Sequence, residues 1–105
     1  MYKRQEKQEA LIDWTENAEK INRRINAYNP SPCAWFSLNN KRIKILKAEV
    51  IHEKGEAGKI MNEEFLIGCG INSLRPLLLR VEGKQDCSIN DFLLGHKIEV
   101  GSYIQ

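Results

Sequence analysis

Between residues 18 and 28 the apolar positions recur at Ala18, Ile21, Ile25 and Tyr28. Spacings of three and four put them on one face of an α-helix. Thr15 suits the start of that helix, because its hydroxyl can accept from an orphan first-turn amide, and Glu16 and Glu19 complement the positive dipole end. Asn29-Pro30 ends it. The period then changes to two. Ala34-Trp35-Phe36-Ser37-Leu38 and Lys41-Arg42-Ile43-Lys44-Ile45 flank Asn39-Asn40, a pair that tolerates positive φ and so predicts a tight hairpin. In the second arm Ile43 and Ile45 alternate with Arg42 and Lys44, until Leu46-Lys47 breaks the alternation and predicts a bulge.

Beyond a loop at Gly55 to Gly58, short strands are expected around 59–61 and 65–68, meeting across Asn62-Glu63. A longer strand should run from Ser73 to Val81. Pro76 within it gives no ladder donor and argues for an edge or a bulge. Ser88-Ile89-Asn90-Asp91 has the form of a capping arrangement before a short helix through Leu94, with Gly95 suited to close it in the left-handed conformation. A last strand is expected at 97–100. The first nine residues are almost wholly polar, with no periodicity, and read as a basic lead-in (1–9) to one domain (10–105). A helix, five or six short strands and a late small helix predict a mainly β fold with α: a small barrel, not a parallel sheet.

At 105 residues and 42% hydrophobic content, one core is the default. No apolar run approaches the roughly 20 residues of a membrane span, and the polar start lacks the apolar stretch of a signal peptide. A cytoplasmic protein with no membrane partner is expected. Cys33, Cys69 and Cys87 are odd in number and widely spaced, which suits reduced small hydrophobes better than a disulfide framework or a zinc site.

Charge alters this picture. The formal net charge is only +2, yet residues 1–47 hold ten Lys/Arg against five Asp/Glu, and residues 48–105 hold six against nine. Such a split can place a basic face on a nearly neutral molecule. Lys20, Arg23 and Arg24 on the helix, with Lys41, Arg42 and Lys44 on the hairpin, are the candidates for phosphate contacts. Lys84 joins them, with Lys3, Arg4 and Lys7 secondary; the alternative for each is a solvated surface cation. Trp14, Trp35, Phe36 and Tyr28 could stack bases, although Trp14 and Tyr28, at the helix ends, suit packing of helix on sheet. His52 and His96 stand apart from any ligand cluster. Gly68-Cys69-Gly70 lacks the further glycine and helix of a dinucleotide motif, so a strand-end turn is expected there.

Several segments, in this order, resemble the carboxy-terminal domain of methionyl-tRNA formyltransferases. They are Ile12-Asp13-Trp14, Arg24-Ile25-Asn26-Ala27-Tyr28-Asn29-Pro30, Lys44-Ile45-Leu46-Lys47-Ala48, Gly58-Lys59-Ile60, Cys69-Gly70, Leu74, Gly83-Lys84, Ser88 with Asp91-Phe92-Leu93, Gly95 and Val100-Gly101. The chain departs from the family pattern at Ser31-Pro32-Cys33 (usually an aromatic, proline and glycine), at Asn72 (usually glycine) and at Gln85 (usually basic). The resemblance implies an OB-like barrel that holds initiator methionyl-tRNA for N-formylation by a separate catalytic domain. It also implies that the catalytic Asn, His and Asp, and the donor 10-formyltetrahydrofolate, belong to that absent domain. No cofactor is expected in this chain, and it should be inactive alone, whether fragment or separately encoded remnant. The competing readings are the barrel of a folate- or nucleotide-sugar-acting formyltransferase, and a general single-strand nucleic-acid-binding or assembly module.

Overall fold

The computed structural model describes residues 10–29, 33–38 and 40–104. The expectations for residues 1–9, Pro30, Ser31, Pro32 and Asn39 lie outside the described residues. Helix α1 spans Ala18–Tyr28 and buries Ala18, Ile21 and Ile25, with Tyr28 packed at the margin. It begins later than Thr15. The Asp13 carboxylate accepts from both the amide of Thr15 (3.1 Å) and its hydroxyl (2.6 Å), holding Thr15 in a separate turn. Asn17 is the cap instead, its side chain accepting from the Glu19 amide at 2.9 Å.

Strands β1 (Ala34–Leu38) and β2 (Lys41–Ile51) form the expected hairpin, with Leu38 opposite Lys41 and Asn40 at φ 66°. Strand β3 is Ile67–Gly68, β4 is Ser73–Val81 and β5 is Asp86–Ser88. The sheet runs β1-β2-β4, and β3 and β5 share the other edge of β4. It curls into a half-barrel of OB-like form. The core-facing positions are Phe36, Ile43 and Val81 in one row and Ala34, Ile45 and Leu79 in the next.

At Leu46 and Leu77 both central strands become irregular. The inward face then passes to Ala48 and Val50 on β2 and to Leu74 and Pro76 on β4, which bends the sheet around its contents. Asn29 Nδ2 donates to the carbonyl of Leu46 at 3.0 Å, so the exit of α1 is tied to this bend. Pro76 sits in a central strand, not an edge. It lies beside the irregularity and between the stretches of β4 that pair with β3 and β5, where an absent donor is tolerated.

Helix α2 (Ile89–Gly95) is capped by Ser88, whose hydroxyl oxygen accepts from the Asp91 amide at 3.2 Å. Gly95 does not close it in the left-handed conformation. The chain leaves extended at His96, whose ring stacks on Phe92 with centroids 4.4 Å apart and whose Nδ1 lies 3.2 Å from the Phe92 carbonyl oxygen. Residues 97–100 do not form the expected strand; beyond them Tyr103 is bridged to Lys59. β5 was not foreseen from the sequence. Through the core runs a file of rings, Trp14–Phe36–Phe65–Phe92, with neighbouring centroids 5.5 to 6.1 Å apart, spacings at which aromatic pairs add to area burial.

Candidate nucleic-acid interface

The outward face of the sheet is set by strand alternation. Where Ile43 and Ile45 point inward, Arg42 and Lys44 point outward. Register then places Trp35 of β1 beside Lys44 of β2, Lys44 beside Arg80 of β4, and Arg80 beside Asp86 of β5. The row therefore reads aromatic, cation, cation, carboxylate. Arg42 lies over the Trp35 ring, its guanidinium carbon 4.2 Å from the ring centroid, a cation–π contact that orients the side chain. Arg42, Lys44 and Arg80 line one side of a surface groove completed by Val81, Glu82 and Gly83. Lys84 follows on the β4–β5 turn and lines an adjoining depression with Arg80, Gln85 and Asp86.

Directly opposed like charges destabilise an antiparallel pair by up to about 1 kcal/mol. Lys44 opposite Arg80 is such a pair. Arg80 is partly compensated, since its Nε donates to Asp86 Oδ1 at 2.5 Å, and that hydrogen bond and charge raise the guanidinium above its ordinary pKa. Among the described residues Lys44 forms no ion pair. An arrangement of this kind suits an anion, whose arrival would relieve the repulsion.

The helix cations are placed differently. Ile21 and Ile25 share one core with Ile43 and Ile45, so α1 covers the inward face of the sheet and its outer side looks away from Arg42 and Lys44. Lys20 and Arg24 both reach Glu16, at 3.6 and 3.0 Å. Arg23 is exposed and, among the described residues, forms no ion pair. Lys41 is exposed but precedes Arg42 by one position and so falls on the other alternation of β2. Thus Arg42 and Lys44 come together, Lys84 lines the adjoining depression, Lys20, Arg23 and Arg24 stand on α1, and Lys41 lies at the hairpin end. Arg80 was absent from the expected set. Its position beside Lys44 is a product of strand register, and its only sequence signal was the alternation of the 73–81 segment.

The aromatic candidates also divide. Phe36 is fully buried and Trp14 nearly so, at 0% and 6% exposed, and Tyr28 packs against the core. Trp35 alone of the four lies on the outward face, where Arg42 covers its ring. Gly68-Cys69-Gly70 is a strand-end turn: β3 ends at Gly68, and the Cys69 amide donates to the Asn72 carbonyl at 3.1 Å. Asn72 adopts φ 63° and Cys33 φ 71°, so both hold left-handed positions where the family pattern has glycine.

The model of the formyl transferase C-terminal domain matches residues 4–97. The chain belongs to that family. Relatives of this formyltransferase C-terminal domain include methionyl-tRNA formyltransferases from Pelagibacter ubique (42% identical, covering 94% of this chain and 32% of the relative) and Neisseria meningitidis (40% identical, 93% and 33%). A third, from Paramagnetospirillum magneticum, is 37% identical over 93% of this chain and 32% of its own length. The chain thus spans about a third of the length of these curated relatives. Among solved structures, HypX from Aquifex aeolicus in complex with tetrahydrofolic acid matches with a TM-score of 0.65 and 18% identity, over 90% of this chain and 20% of that one. That likeness supports the fold of the domain. No helix among the described residues is long and apolar enough to cross a membrane.

Proposed function

We propose that this formyltransferase C-terminal domain binds initiator methionyl-tRNA and presents its acceptor end to a formyltransferase catalytic domain in the cytoplasm, for N-formylation at translation initiation. The observation that carries this reading is the outward cationic row of Arg42, Lys44 and Arg80 on a barrel whose relatives are methionyl-tRNA formyltransferases. Lysine and arginine side chains displace counterions from the RNA backbone, and arginine can grip a phosphate with two donors. Recognition would follow the shape and phosphate geometry of folded RNA, because side chains cannot read the deep groove of an A-form helix. Burial of Phe36 and Trp14 leaves few rings for the stacking that a general single-strand binder uses. The residues of formyl transfer, and the site for 10-formyltetrahydrofolate, are assigned to the catalytic domain.

The test is fluorescence anisotropy of the chain with folded initiator tRNA and with an unstructured RNA of equal length, at low salt. Preference for the folded tRNA is expected. Equal binding of both would favour the single-strand module. Turnover by this chain alone, with methionyl-tRNA and 10-formyltetrahydrofolate, would contradict the division of labour.

A further inference from the structure

The geometry points to a phosphate-binding subsite formed by Arg80 with Lys44, at the place where an RNA backbone crosses the outward face of the sheet. Its RNA assignment rests on the function proposed above; the phosphate site itself does not. Three features support it. First, Lys44 and Arg80 are cross-strand neighbours on β2 and β4 and line the same groove, so rigid strands hold two cations side by side, as a subsite for a dianion or a bridging phosphodiester requires. Second, the Arg80 guanidinium is already oriented: Asp86 on the next strand takes its Nε at 2.5 Å, while no protein acceptor among the described residues takes its Nη atoms. Those end donors form a fork matched to phosphate oxygens, and a side chain held in place loses less entropy when it binds. Third, both residues line a groove with Arg42, which is itself fixed over Trp35.

The surroundings set the polarity of the subsite. Glu82 closes one end of the groove, its carboxylate accepting from the Arg42 amide at 3.1 Å, and Asp86 lies behind Arg80. A phosphate is therefore attracted to the place between Lys44 and Arg80 and repelled on the sides of Glu82 and Asp86. This fixes where a strand can cross. It also distinguishes Arg80 from Arg75, the other arginine of β4, whose guanidinium is taken by Glu49 and Glu64 together.

The experiment has two arms. In the first, the arginine 15Nε–1Hε resonances of the whole chain are followed while inorganic pyrophosphate is added. The Arg80 signal is expected to shift with saturation, and that of Arg75 to stay in place. A still Arg80 signal alongside shifts elsewhere, or no shifts at all, would overturn the subsite. In the second arm, Arg80→Gln is expected to weaken binding of folded initiator tRNA about tenfold and to reduce the salt slope by about one. Arg80→Lys, which keeps the charge and loses the fork, should fall between. Unchanged melting temperatures would show that both variants fold, and tRNA affinity within twofold of the parent would remove Arg80 from the RNA path. A shift with pyrophosphate but no preference for folded tRNA would retain the phosphate subsite and refute the tRNA reading. Binding of tRNA that ignores Arg80 would retain the tRNA reading and overturn the assignment of the subsite to the RNA backbone.

Discussion

Replacing Gly70 by alanine should unseat α1 from the barrel. A Cβ built on Gly70 meets the Thr15 carbonyl oxygen at 1.9 Å and the Thr15 carbonyl carbon at 2.8 Å. Ordinary contact begins near 3.4 Å, so the two backbones must part by roughly 1.5 Å. The hydrogen bonds at this junction are Gly70 N–H to Glu16 O and Ala18 N–H to Ile71 O, each 3.0 Å, and neither survives such a displacement. At about 1 kcal/mol apiece they account for roughly 2 kcal/mol. Partial loss of packing around Ala18 and Trp14 adds about 1 to 2 kcal/mol. The expected loss of about 3 to 4 kcal/mol is a large part of the stability of a small domain. Urea unfolding followed by tryptophan fluorescence measures it as a lower midpoint at unchanged slope. Gly95→Ala is the control, since nothing lies within 4 Å of its added Cβ and alanine favours the helix by about 0.5 to 1 kcal/mol. A loss below 1 kcal/mol for Gly70→Ala would refute the account of this junction.

Other expectations follow from single sites. Arg42→Ala should weaken RNA binding by about 1 kcal/mol and flatten its salt dependence; an unchanged salt slope would exclude a phosphate contact there. Hydrogen bonds from the side chain and amide of Thr15 hold the Asp13 carboxyl below its ordinary pKa. Because the folded value is the lower one, Asp13 contributes stability above about pH 4 and loses it as pH falls through the folded value. The stability difference between the parent and Asp13→Ala, read from urea curves, should therefore shrink on acidification, and a growing difference would reverse the assignment. Burial pushes the Cys69 thiol up to about 12, leaving roughly one thiolate in ten thousand at pH 8. Cys87, only half-buried although also raised, by burial and then by Asp91 and Asp86, should be the first of the two to react with a disulfide reagent. Mass mapping that finds Cys69 labelled first in the native protein would contradict its burial.

What the sequence disclosed, and what it hid, divides along the range of the interactions. The stripe of α1, the β1–β2 hairpin, the irregularity near Leu46 and the Ser88 cap rest on local periodicity and turn chemistry, and all were legible. The start of α1 was misplaced because Asp13 draws Thr15 into a turn of its own, leaving Asn17 to cap the helix. The three residues of β5 are too few for alternation to register, and only pairing with β4 makes them a strand. The segment 97–100 alternates yet forms no strand, and the bridge to Lys59 is made beyond it, by Tyr103. For the candidate interface, nearness along the chain misled. The helix and hairpin cations lie within one basic stretch but project from opposite sides of the core, whereas Lys44 and Arg80, far apart in sequence, are cross-strand neighbours. Charge segregation along the chain suggested a basic face; strand register decided its members.

Under the proposed function, a folded RNA is held through its phosphates on the outward face of the sheet. The most direct test is the affinity of the chain for folded initiator tRNA across a salt series, compared with a variant carrying both Lys44→Gln and Arg80→Gln. A steep linear loss of log affinity with log salt is expected, with a slope reduced by about two in the variant. A flat salt dependence, or one that the two substitutions leave unchanged, would contradict this reading.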